Sequence, residues 1–152
     1  MEKEIVDKSE LLSILSSAKF MTIAMCKDNL PYLVTVNHAC SPDGKVIYYH
    51  CAKAGKKVDY IRANPQVWGQ VIEDRGYVEG KCDYDYRSVM FGGRASLVAG
   101  LVEKKKALNL MIEKLEKEPE GAKKRFIDKS SLDKVAIYKI RIESMSGKKR
   151  VA

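Results

Sequence analysis

The apolar positions of this chain change period several times, and each change marks an element. Leu11, Leu12, Ile14 and Leu15 fall at helical spacing behind Ser9, which predicts a first helix over Glu10–Ala18 with Ser9 as its N-cap. Phe20–Cys26 reads as a strand, Lys27-Asp28-Asn29 as a turn, and Tyr32–Cys40 as a second strand rich in β-branched residues. Ser41-Pro42-Asp43-Gly44 carries a hairpin signal, and the strand Val46–Cys51 follows it. A short amphipathic helix is expected over Lys56–Ala63, stopped by Asn64-Pro65. Val67–Glu73 reads as a strand and the Gly-bearing, charged stretch Asp74–Asp85 as a loop. Tyr86–Val102 reads as a long strand whose Gly92-Gly93 predicts a bulge or sharp bend. Two helices, Glu103–Glu116 and Pro119–Ile127, precede a last alternating strand, Val135–Glu143.

Strands outnumber helices, and hairpins join most neighbours. That order predicts a mainly β protein with flanking helices: an antiparallel sheet closed, or nearly closed, into a small barrel. A doubly wound parallel sheet would need a helix after almost every strand, and no G-x-G-x-x-G follows a strand. With 152 residues and no internal repeat, one domain over residues 1–152 is expected.

The Asp43-Gly44 turn allows a register. If these two residues form the loop, Asn37 lies opposite His50 and Thr35 opposite Ala52. One face then carries Leu33, Thr35, Asn37, Tyr48 and His50. The other carries Val34, Val36, Ile47, Tyr49 and Cys51, and its apolar character makes it the expected barrel interior.

The stretch Tyr48–Pro65 holds the clearest chemistry. A strand ends near His50, a turn containing Gly55 follows, and Lys56 and Lys57 open a helix. The first N–H groups of a helix have no partner inside it, and its dipole favours an anion there. Strand, glycine turn and paired lysines therefore suit a phosphate. The G-x-x-x-x-G-K-[ST] spacing is absent, so a phosphate-bearing ligand here would be other than a Walker-type nucleotide; the alternative is a plain strand-to-helix turn with two solvated lysines.

Charge adds little to this picture. The net charge of +8 draws anions of many kinds, but the basic clusters Lys104–Lys106, Lys123–Arg125 and Lys148–Arg150 read as solvated faces and ends. Acidic residues are interspersed, and no aromatic-plus-basic RNA-binding motif occurs, which argues against nucleic acid as a partner. The four cysteines, Cys26, Cys40, Cys51 and Cys82, form no C-x-x-C pair and are expected as thiols. His50 and Cys51 are adjacent on a strand and point to opposite faces, so no metal site is expected there. Cys51 is expected as a small buried apolar residue. No apolar run approaches the ~18 residues of a membrane span, and the N-terminus lacks a secretory apolar region; no membrane partner and a cytoplasmic location are expected.

Four segments, PYLVTVNHA (Pro31–Ala39), IYYHCAKAGKKVDYIRANPQV (Ile47–Val67), YRSVMFGGRASLV (Tyr86–Val98) and KIRIESMSGKK (Lys139–Lys149), together resemble the FMN-binding split-barrel proteins of the pyridoxamine 5′-phosphate oxidase-like group. Within that group the branch containing nitroimidazole-resistance reductases is the nearest match. The H-x-A-x-x-G-x-K block from His50 to Lys57 carries most of the specificity. The resemblance implies a six-stranded antiparallel Greek-key split β-barrel that forms a homodimer with FMN at the interface. It implies Val34, Thr35, Val36 and Asn37 along the flavin ring, His50 and Cys51 beside it, Lys56 and Lys57 on the phosphate, and Ser88 reaching the cofactor. It further implies His50 as a catalytic proton donor, a small electron-poor substrate such as a nitro compound, and NAD(P)H as electron donor. The C-terminal Trp and Arg segment of true pyridoxamine phosphate oxidases is missing, which counts against that activity. Trp68 reads as a core residue or as a lid over flavin or dimer seam. A flavin- or haem-binding protein without robust turnover is the alternative, because fold does not fix function.

Overall fold

The computed structural model describes residues 1–151. Eight strands form one antiparallel sheet: β1 (Glu2–Glu4), β2 (Phe20–Lys27), β3 (Leu30–Asn37), β4 (Ala39–Cys40), β5 (Val46–Cys51), β6 (Gln66–Val78), β7 (Asp83–Leu97) and β8 (Ala136–Arg150). Five helices accompany them: α1 (Lys8–Ser17), α2 (Lys56–Ala63), α3 (Leu101–Leu115), α4 (Pro119–Phe126) and α5 (Lys129–Leu132). The strand order is β3-β2-β6-β7-β8-β5-β4, with β1 added to β8. Six strands are long, while β1 and β4 have three and two residues. This is the mainly β, antiparallel architecture expected from the pattern, in the split-barrel form that the family resemblance implies.

The two ends of that strand order, β3 and β4, are consecutive in the chain. His38 alone separates them, and there the chain leaves one edge and joins the other. Ala39 pairs with Tyr48 and Cys40 with Ile47, which is the register expected from the Asp43-Gly44 turn. The pairing then stops. Asn37 lies opposite Phe20 and Thr35 opposite Thr22, while His50 lies opposite Ile137 on β8. The expected Asn37–His50 and Thr35–Ala52 neighbours are thus not formed. The reason is the corner at His38, which is fully buried and held from two sides. Its Nε2 lies 2.8 Å from the Leu15 carbonyl oxygen at the end of α1, and Lys114 Nζ of α3 donates to its carbonyl oxygen at 2.8 Å.

The faces of the strands follow the expected parity. Val34 and Val36 of β3 and Ile47, Tyr49 and Cys51 of β5 turn towards one large core with Ile14, Leu15, Ile23, Val71, Val89 and Phe91. Leu33, Thr35 and Asn37 are exposed. The outer face of β5 is different: Tyr48 enters a second core with Val98, Ala107, Leu108, Met111 and Ile137 beneath α3. The Tyr48 hydroxyl donates to Glu103 of α3 at 3.1 Å, and Lys139 of β8 holds the same carboxylate at 2.9 Å, which fastens α3 to the sheet.

Several boundaries move for identifiable reasons. Asp7, not Ser9, caps α1: its carboxylate accepts the Ser9 N–H at 2.9 Å. The segment Asp74–Asp85 is the outer part of a long β6–β7 hairpin rather than a loop, with a bulge at Asp74/Gly76 and a tip at Glu79–Cys82. The run beginning at Tyr86 leaves the strand at Leu97, and α3 already starts at Leu101. Gly92-Gly93 lies at the expected irregularity, a register shift against Ser144 and Ile142 of β8. The basic end Lys148–Arg150 is strand rather than a solvated tail, paired with β7 and β1 and bonded to Glu2, Glu10 and Asp83.

Candidate functional site

A pocket of about 200 Å³ opens where the end of β5 meets α2, lined by Tyr32, Val34, Cys51, Ala52, Ala54, Gly55, Lys56, Lys57 and Val58. The local chain explains its shape. Strand β5 ends at Cys51, and the turn after it runs to Gly55, whose φ of +135° is strained for any residue with a side chain. Lys56 then begins α2. No side chain caps this helix, so its first N–H groups stay available. Val58, Tyr60 and Ile61 anchor the helix in the barrel core, with Asp59 and Arg62 outside.

The lysines are held by rings rather than carboxylates. Lys56 Nζ lies 4.5 Å from the centre of the Tyr32 ring and 5.7 Å from that of Tyr60; Lys57 Nζ lies 5.7 Å from that of Tyr49. Neither lysine forms an ion pair among the described residues. Two unneutralised cations beside an uncapped helix start are a donor set that fits a phosphate. Cys51 closes the pocket wall; burial raises its thiol pKa, with Lys57 opposing, so it is held as the neutral thiol.

Of the residues implicated by sequence, four share this pocket: Val34, Cys51, Lys56 and Lys57. Val36 packs against the barrel core. Thr35 and Asn37 point to the other side of β3, where Thr35 Oγ1 lies 3.2 Å from Thr22 Oγ1 and Asn37 Nδ2 donates to the Lys19 carbonyl oxygen at 3.0 Å. Ser88 is buried in the middle of the sheet and lines a separate pocket with Glu2, Met90, Ser146 and Lys148. His50 also lies apart, in a third pocket beneath α3 and α4. Its edge is open to solvent, yet desolvation by the apolar lining, aided by the positive charge of Lys57, pushes its pKa below the ordinary histidine value. Among the described residues no cluster of His, Cys, Asp and Glu could hold a metal ion.

Tyr32 was not among the sequence candidates for this pocket, whereas the turn at Gly55 was. Tyr32 could have been found by its parity with Val34, since both turn towards the same side of β3. Trp68 is not a core residue: it is 53% exposed on the outer face of β6, against Gly92. Leu33, Ile72 and Met90 are exposed around it, and the pairings Leu33–Ala24–Trp68–Gly92 and Gln70–Met90 place these side chains on one outer surface.

The profile of the family described as pyridoxamine 5′-phosphate oxidase matches residues 7–149, nearly the whole chain. The chain belongs to the pyridoxamine 5′-phosphate oxidase family. Solved structures agree in fold. A candidate 5-nitroimidazole antibiotic resistance protein from Bacteroides thetaiotaomicron superposes with a TM-score of 0.79 at 21% identity, over 97% of this chain and 87% of its own. A FAD-binding protein from Mesorhizobium loti gives 0.75 at 24% identity, over 100% and 98%. A FAD- and haem-binding protein from Mycobacterium smegmatis gives 0.82 at 14% identity, over 99% and 74%. Among curated proteins, an uncharacterised protein of Rhizobium meliloti, RA0666, is 29% identical over 69 residues; the match spans 45% of this chain and 44% of that protein's length. No helix among the described residues is long and apolar enough to cross a membrane.

Proposed function

We infer that this member of the pyridoxamine 5′-phosphate oxidase family is an FMN-dependent oxidoreductase acting on small, electron-poor organic molecules. The observation that carries the reading is the pocket at the start of α2, with Lys56, Lys57 and free helical N–H groups facing the same space. FMN brings one phosphate, which is what this donor set can neutralise. When bound, the flavin supplies the hydride or electron transfer. Lys56, Lys57 and the α2 backbone anchor the phosphate. Val34 and Cys51 give the apolar wall against which the rest of the cofactor lies, with the backbone of Thr35, Val36 and Asn37 extending that edge. His50, which the resemblance makes the proton donor, faces the pocket beneath α3 and α4 instead, and its lowered pKa disfavours the imidazolium that a donor needs, so this reading gives it no proton to transfer. NAD(P)H is the proposed electron donor.

A homodimer completes the reading. Leu33, Trp68, Ile72 and Met90 expose apolar surface on the outer face of the sheet, the kind of patch that a second copy covers.

The test is spectral titration of the purified protein with FMN, followed by anaerobic addition of NADH or NADPH and a nitroaromatic acceptor. Bound flavin with donor-dependent bleaching and reoxidation supports the enzyme. Bound flavin that no nicotinamide bleaches leaves a flavin carrier. A protein that takes up no flavin ends the reading.

A further inference from the structure

A pocket of about 340 Å³ lies on the other face of β5, away from the lysine pair. Leu108, Met111, Ile112 and Leu115 form one wall; their spacing puts them on a single stripe of α3. Phe126 of α4 stands across from them, and His50 is the polar residue contributed by the sheet. Interiors are close-packed and leave few voids larger than a water molecule, so a space of this size is not ordinary packing loss. Nor is it closed: Leu115 is 39% and Phe126 48% exposed. Volume and lining match the ~300–1,000 Å³, largely apolar sites that hold small molecules.

The polar groups narrow the ligand. Ser131 is already engaged, with its hydroxyl donating to the Arg125 carbonyl oxygen at 3.0 Å and its N–H to Asp128 at 2.7 Å. Glu116 sits at the wall and opposes an anion. His50 has no protein hydrogen-bond partner among the described residues, and its depressed pKa leaves a neutral ring with one donor and one acceptor. Glu116 is exposed at the rim, where water screens it, so a cation buried among the leucines would find no buried carboxylate to pair with.

We propose that this pocket binds an uncharged, largely hydrocarbon small molecule bearing one hydrogen-bonding group, which His50 reads. Apolar burial against α3 and Phe126 supplies the affinity, and the imidazole sets the orientation. The site lies on the opposite face of β5 from Cys51 and stands whether or not flavin occupies the lysine pocket.

The probe is N-phenyl-1-naphthylamine, a neutral fluorophore with a single N–H, titrated into the flavin-free and FMN-treated protein. Saturable binding of one molecule per chain is expected in both. Leu115→Trp, which fills the space from its open side, should weaken binding by about ten-fold or more, and Phe126→Asp similarly, with far-UV circular dichroism confirming both folds. The Lys56→Ala/Lys57→Ala protein should bind the probe like the parent. The His50 imidazole, followed by NMR, should titrate at still lower pH with the probe bound. Absence of saturable binding, equal binding to both pocket variants, or stoichiometric displacement of the probe by FMN would overturn the proposal. A protein that binds the probe but never FMN would sink the flavin reading alone; one that binds FMN but never the probe would sink this one alone.

Discussion

The two faces of β5 make opposite environments from neighbouring residues. On the barrel side, Cys51 looks into a small pocket that two unpaired lysines and a bare helix start make electropositive. On the helix side, His50 looks into a larger pocket walled by leucines, methionine and phenylalanine. A strand alternates its side chains strictly, so a single step along the backbone changes the chemistry from charge recognition to apolar burial. What covers each face decides the outcome: α2 delivers its N-terminus to one, and α3 delivers an apolar stripe to the other.

The largest effect should come from removing the charge on the barrel side. Lys56→Ala/Lys57→Ala is expected to weaken FMN binding by about 100-fold or more, since each charge-assisted hydrogen bond contributes roughly 1.5–3 kcal/mol. Flavin fluorescence quenching measures it, and an unchanged Kd would dissolve the contrast between the faces.

Acid should act next, through the corner that separates β3 from β4. With its proton on Nε2, His38 donates to the Leu15 carbonyl oxygen, and its Nδ1 has no partner among the described residues. Burial, with the nearby Lys114 charge, pushes its pKa from 6.5 down to about 4. The unfolded chain therefore binds a proton that the folded chain refuses between pH 6.5 and 4. Stability from this group is complete above 6.5 and falls as the pH is lowered to about 4, by on the order of 3 kcal/mol. Urea unfolding at a series of pH values tests this; a midpoint indifferent to pH over that window would contradict it.

Packing inside the barrel gives a smaller effect. A Cβ on Gly69 would overlap the Phe91 ring, so Gly69→Ala should cost about 1–3 kcal/mol of stability by urea unfolding. Gly55→Ala meets no neighbour but must hold φ at +135°. It should cost about 1 kcal/mol or somewhat more and loosen FMN binding several-fold. If Gly55→Ala instead destabilised the chain more than Gly69→Ala, the turn before α2 would be part of the folding core rather than a fitted binding loop.

Much of the barrel side was legible in local sequence. The Gly turn, the lysine pair and the boundaries of α2 all lie within a dozen residues, and short-range rules of capping and backbone conformation apply there. The parity of β3 and β5 was readable too, because a period of two is a local property. Tyr32–Cys40 misled because β-branched residues run through it without a Gly or Pro to mark the corner at His38. That corner exists because α1 and α3 bond to it from outside. Likewise the charged Asp74–Asp85 and Lys148–Arg150 read as loop and tail, and pairing with distant strands makes them sheet.

By itself, then, the chain's order of residues set the alternation of each strand, the start of α2 and the chemistry that start can offer. Only the tertiary structure decided that Asn37 and His50 part company, that Trp68 lies outside, and that His50 faces an apolar pocket. The physical reason is range: backbone conformation and side-chain parity depend on a few neighbours, whereas what covers a face depends on elements that arrive from far along the chain.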